Sequence, residues 1–77
     1  MIYSTDTIEL RKAMLEKGYY TIGAFSKECN VNRATLGKVL SGSIQPTSDV
    51  MYKIADCLSI SSERAGQIFF SHNLRKM

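Results

Sequence analysis

The feature that most constrains the fold is a run of twenty-two residues, TIGAFSKECNVNRATLGKVLSG (21–42). Two short helical patterns sit in it, separated by too few residues for anything but a sharp turn. Thr21 is a good N-cap, and Ile22, Phe25 and Cys29 follow at i, i+3 and i+7, the spacing of one helix face. Asn30 falls at the break, where asparagine is the non-glycine residue that best accepts a left-handed backbone. Val31 fills the gap, Asn32 caps a second pattern, Leu36, Val39 and Leu40 form its inward stripe, and Gly42 ends it. The spacing predicts helices over about 22–29 and 33–41.

The rest of the chain follows the same grammar. Ser4, Thr5 and Asp6 offer N-caps for a helix running to about Lys17, with Ile8, Leu10, Met14 and Leu15 as inward candidates and Gly18 as the residue after its end. After the loop SIQPT, Thr47 or Ser48 caps a helix running to about Leu58, whose apolar residues make it the expected most buried element. Beyond the break SISS, a fifth helix is expected over about Ser62 to His72, with Ala65, Ile68 and Phe69 inward. No stretch shows the sustained alternation a strand needs, so the fold class is all-α.

Seventy-seven residues, 44% of them hydrophobic, suffice for one modest core, and we expect a single domain over residues 1–77. No apolar run approaches the roughly 20 residues of a membrane span, and the N-terminus lacks the basic and apolar blocks of a secretion signal. A cytoplasmic protein is expected. Cys29 and Cys57 are too few for a disulfide scaffold and have no metal-ligand spacing, so two reduced, buried thiols are expected, with no metal and no cofactor. His72 has no acid within a helical turn of it, and no paired carboxylates or nucleophile with a base point to an enzyme. Tyr19 and Tyr20 read as partial core. All seven acids fall in residues 1–28 and 49–63, whose net charge is −2, while the acid-free stretches 29–48 and 64–77 carry +5 from Arg33, Lys38, Arg64, Arg75 and Lys76. The second helical pattern of the opening run lies in one of these basic stretches.

Two short helices joined by a turn of three or four residues form the helix-turn-helix, whose second helix enters the DNA major groove. Such a motif needs a small residue where the helices approach, a turn residue tolerant of positive φ, and apolar anchors that fix the crossing; Ser26, Asn30 and the set Phe25, Val31, Leu36 and Val39 supply them in register. With QPTSDVMYKIADCLSIS following, the chain over about residues 8–68 resembles the Cro/CI-like (XRE) helix-turn-helix regulators of phages and bacteria. Thr21, Phe25, Ser26, Asn30, Val31, Asn32, Leu36, Val39, Gly42, Pro46, Ile54, Ala55, Leu58 and Ile60 fall on the family's positions. Three residues depart from it: Ile22 where glutamine is usual, Ser26 for alanine, and Asn30 for glycine.

The resemblance implies a compact five-helix lambda-repressor-like DNA-binding domain, with the motif in residues 21–42. It also implies roles. Arg33 and Ala34, near the start of the third helix, would meet base edges, an arginine pairing with guanine O6 and N7 and an alanine methyl with a thymine methyl. Asn32, Gly37 and Lys38 complete the outward face, Gly37 allowing close approach to DNA where a side chain would hold the backbone off. Thr35, Ser41, Ser43, Gln45 and the start of the second helix at Thr21 and Ile22 would contact phosphate. Relatives bind commonly as homodimers to half-sites roughly 34 Å apart. The C-terminal helix and tail, 61–77, hold more apolar surface than one inward face needs, and Phe70 and Leu74 are the expected dimer or partner surface. The expected partner is a double-stranded DNA operator. The competing reading keeps the fold but makes the chain an antirepressor that binds another phage regulator.

Overall fold

The computed structural model describes residues 3–72. Five helices follow one another: α1 (Thr7–Glu16), α2 (Ile22–Cys29), α3 (Arg33–Ser41), α4 (Ser48–Leu58) and α5 (Ser62–Phe69). Their starts are set by local chemistry. The side chains of Asp6, Thr21, Asn32, Thr47 and Ser61 each accept a hydrogen bond from a first-turn amide of the helix they precede, satisfying donors that have no partner inside the helix. The ends are set by backbone handedness. Asn30 (φ 56°) and Ser59 (φ 54°) adopt the left-handed conformation after α2 and α4, and Gly42 (φ 81°) does so after α3.

The core is one cluster to which every helix contributes: Leu10, Ala13 and Met14 from α1, Phe25 and Cys29 from α2, Leu36, Val39 and Leu40 from α3, Ile54 and Leu58 from α4, and Ile68 and Phe69 from α5. Val31 is buried in the turn and locks α2 against α3. Three core expectations are corrected. Ile8 and Leu15 are exposed, 54% and 53%, because at 3.6 residues per turn both stand about 140–160° round α1 from Leu10. Helix α4 is not the most buried element: only Ile54 and Leu58 are fully covered, since its other side forms one wall of an open groove with α5. Tyr20 is 77% exposed, whereas Tyr19 is half-buried with its ring tilted against Phe25 at 5.0 Å.

Helix α5 is shorter than expected. It stops at Phe69, Phe70 turns out of the helix (φ −122°, ψ 47°), and Ser71–His72 pairs antiparallel with Tyr3–Ser4. We label these strands β2 and β1. The ladder is two residues long, too short to leave an alternating pattern in the sequence, and the domain remains all-α apart from it. It ties the two ends of the described chain together, reinforced by the Asp6 amide donating to the Ile68 carbonyl at 2.6 Å and by the Tyr3 and Phe70 rings meeting edge to face at 6.3 Å.

Candidate nucleic-acid interface

The outward surface of α3 is built by the same residues that form its inward stripe. Because Leu36, Val39 and Leu40 are 0–1% exposed, the helix cannot rotate without expelling them, and the opposite face is fixed towards solvent. Asn32, Arg33, Ala34 and Lys38 are exposed on it, and Thr35 and Gly37 are partly covered. The Asn32 carboxamide oxygen accepts from the Ala34 and Thr35 amides at 2.8 and 3.3 Å, so this side chain is committed to starting the helix. Of the three ion pairs among the described residues, Lys12–Glu9, Lys53–Asp49 and Arg64–Glu16, none involves Arg33 or Lys38. The two cations of α3 carry uncompensated charge at the surface.

Arg33 also joins α3 to α2. Its guanidinium carbon lies 3.9 Å from where a Cβ on Gly23 would stand, so the side chain reaches back over the first turn of α2. There the Thr21 hydroxyl oxygen accepts from the Ala24 amide at 3.1 Å, which leaves the Ile22 and Gly23 amides at the open end of the helix and the Thr21 hydroxyl proton unused. The Ile22 side chain, partly buried, packs on the core; what Ile22 presents outward is its amide. The Arg33 guanidinium thus stands beside the start of α2, whose first-turn amides, like those of any helix, are suited to an oxyanion. The fold alone brings Gly23 and Arg33 together, at a distance that is an ordinary van der Waals contact.

The far end of α3 is arranged differently. The Ser41 hydroxyl donates to the Lys38 carbonyl at 3.1 Å and meets the Ser43 hydroxyl at 2.8 Å. With Ser41's proton so used, Ser43 is the donor of the second bond, and either hydroxyl must turn to serve an external acceptor. Gln45 serves the fold. Its amide oxygen accepts from the Thr5 hydroxyl at 3.0 Å and its amide nitrogen donates to the Phe69 carbonyl, pinning the α3–α4 loop to the chain ends. Arg11 of α1 donates to the Leu40 carbonyl at 3.2 Å, placing a cation at the C-terminal end of α3, where the helix dipole favours it. Neither contact left a signal in the sequence, since each joins residues at least 24 positions apart.

Gly37 has nothing within 4 Å of the position a Cβ would take. No neighbouring helix requires its missing side chain.

A helix-turn-helix family model matches residues 10–64. That span contains the whole of α2, the turn, α3 and α4, and most of α1. The chain belongs to the helix-turn-helix family of the Cro/CI-like (XRE) type. No curated protein and no solved structure matches it. Membership makes this helix-turn-helix protein a DNA-binding transcription regulator, of a family not generally enzymatic. Among the described residues no group of three or more His, Cys, Asp or Glu side chains could hold a metal, and no helix is long and apolar enough to cross a membrane.

Phe70 is 52% exposed, its other side covered by Tyr3, and it borders the α4–α5 groove together with Met51, Tyr52, Ile60 and Ala65. Leu74 lies outside the described residues.

Proposed function

We propose that this regulator is a small Cro-type phage or prophage repressor that binds a palindromic double-stranded DNA operator as a homodimer, with α3 in the major groove. The observation that carries the reading is the outward face of α3: two unpaired cations, an exposed alanine methyl and a glycine with open space before it, on a helix whose rotation is fixed by three buried residues. Arg33 and Ala34 read bases, Lys38 contacts a base or phosphate, and the amides of Ile22 and Gly23 with the Thr21 hydroxyl hold a backbone phosphate that sets the register. Thr35, Ser41 and Ser43 add phosphate contacts. Gln45 fixes the loop through its bonds to Thr5 and Phe69, and the second proton of its amide nitrogen is left to meet a phosphate.

One monomer offers too few base contacts for operator specificity, and the exposed apolar residues beside the α4–α5 groove, Tyr52 and Phe70, supply a surface through which two copies associate. The experiment is a pair of substitutions titrated with operator duplex over a range of salt. Arg33→Ala costs about 1–3 kcal/mol and relaxes the sequence preference at one base pair, whereas Lys38→Ala, if its partner is phosphate, weakens all duplexes alike and lowers the salt slope by about 1. Unchanged affinity and preference in Arg33→Ala would remove the reading.

A further inference from the structure

Helix α4 turns Ile54 and Leu58 into the core and leaves Cys57 free and half-buried beside Tyr19. Its remaining face meets α5 across an open groove of about 510 Å³. That volume is in the range of small-molecule sites, which often form between the helices of a bundle. Tyr52, Ala55 and Asp56 line the groove from α4, and Ala65, Gly66 and Phe70 line it from α5 and its end.

Three features of this lining weaken the fold or add nothing to it. Gly66 stands in the interior of α5, where glycine lowers helix propensity. A Cβ on it would meet nothing within 4 Å, so no neighbouring element requires the missing side chain. What the glycine does is leave space in the groove. Asp56 lies in the last turn of α4, where the free carbonyls carry partial negative charge and a cation is the favoured neighbour. That turn holds no base, and Asp56 takes part in none of the three ion pairs among the described residues. No lysine or arginine lines the groove to compensate it. Tyr52, finally, is an aromatic residue left 74% exposed.

These features share one complement. A carboxylate, the C-terminal end of a helix and the faces of two aromatic rings, Tyr52 and Phe70, each attract positive charge, while Ala55, Ala65 and the open space at Gly66 suit hydrocarbon. We propose that the α4–α5 groove is a binding site for a small organic ammonium ion with an apolar body. The ammonium group lies by Asp56 and the end of α4, and the hydrocarbon fills the space that Gly66 leaves. An anion of the same shape is repelled, and a neutral isostere has the apolar contacts alone.

The proposal does not depend on what α3 binds. Tyr52 and Phe70 are also the residues through which two copies associate, so ligand and second copy contend for one rim. The test is therefore run on the full chain, labelled with nitrogen-15, at a concentration where diffusion measured by NMR is that of a monomer. The chain is titrated with 2-phenylethylammonium, with the neutral 2-phenylethanol and with the anion 3-phenylpropionate. The ammonium ion should give saturable shifts confined to amides of residues 48–70 and should bind most tightly of the three, the anion most weakly. Asp56→Asn, an exposed change that leaves the fold intact, should weaken the ammonium ion about two- to fivefold, to the affinity of the alcohol. Gly66→Leu should abolish the shifts while the chain melts at an equal or higher temperature. Shifts that do not saturate or that spread over the whole chain, an anion that binds as well as the ammonium ion, or unchanged affinity in Asp56→Asn or in folded Gly66→Leu would each overturn the proposal.

Discussion

The two faces of α3 are made by alternate residues of one nine-residue helix, yet they answer to different physics. On the inward face Leu36, Val39 and Leu40 are sealed in the core, with α3 packed chiefly on α1 and α2, and contribute stability in proportion to the apolar area removed from water. On the outward face Ala34 and Lys38 are exposed, Gly37 has open space before it and Arg33 reaches only the start of α2, and Gly37 weakens the helix. A residue kept at a cost to helix propensity, on a face without structural partners, points to a constraint from outside the chain. The difference teaches that substitutions on α3 separate cleanly: inward changes act on folding, outward changes on binding.

The sharpest way to break that separation is Leu36→Ala. Fully buried at the centre of the cluster, it should lose about 2–5 kcal/mol in urea denaturation, and a smaller loss would mean that the inward face is less tightly packed than its burial implies. The buried side of α2 offers a second test. Cys29 ionises at about 11 in the fold against 9.0 for the unperturbed group, so the protonated thiol's contribution is fully present below about pH 9 and is lost as pH rises through about 11, on the order of 2 kcal/mol in all. Cys29→Ala should flatten that alkaline decline in thermal melts. Smallest in energy but most telling for the outward face is Gly37. Gly37→Ala should raise stability by about 0.5–1 kcal/mol, because the added methyl meets open space and improves helix propensity. Gly37→Leu should leave stability equal or higher while weakening operator binding, measured by anisotropy of a labelled duplex. Loss of stability in either variant would return Gly37 to a packing role.

The helices were legible where their causes are local. Thr21, Asn30, Asn32 and Gly42 act within a few residues of themselves, so α2, the turn and α3 have the bounds that caps and stripes predict. Long-range causes left no such trace. The β1–β2 ladder, which ends α5 early, and the Gln45 amide, which binds Thr5 and Phe69 across 40 and 24 positions, depend on the fold being assembled first. Ile8 and Leu15 are apolar yet exposed, because each leaves α1 at an angle that turns it away from Leu10. The outward face of α3 was legible because it is the remainder left by an inward stripe. The approach of Arg33 to Gly23 was not, since it follows from the crossing of two helices and not from either alone.

The most direct measurement of the central claim is selection of duplexes bound by the protein from a random pool at physiological salt. A reader that uses α3 in each half of a dimer should enrich an inverted repeat with half-sites about 10 base pairs apart, centre to centre, and bind it far more tightly than random sequence. A pool that gains no motif, with equal affinity for selected and random duplexes, would contradict it.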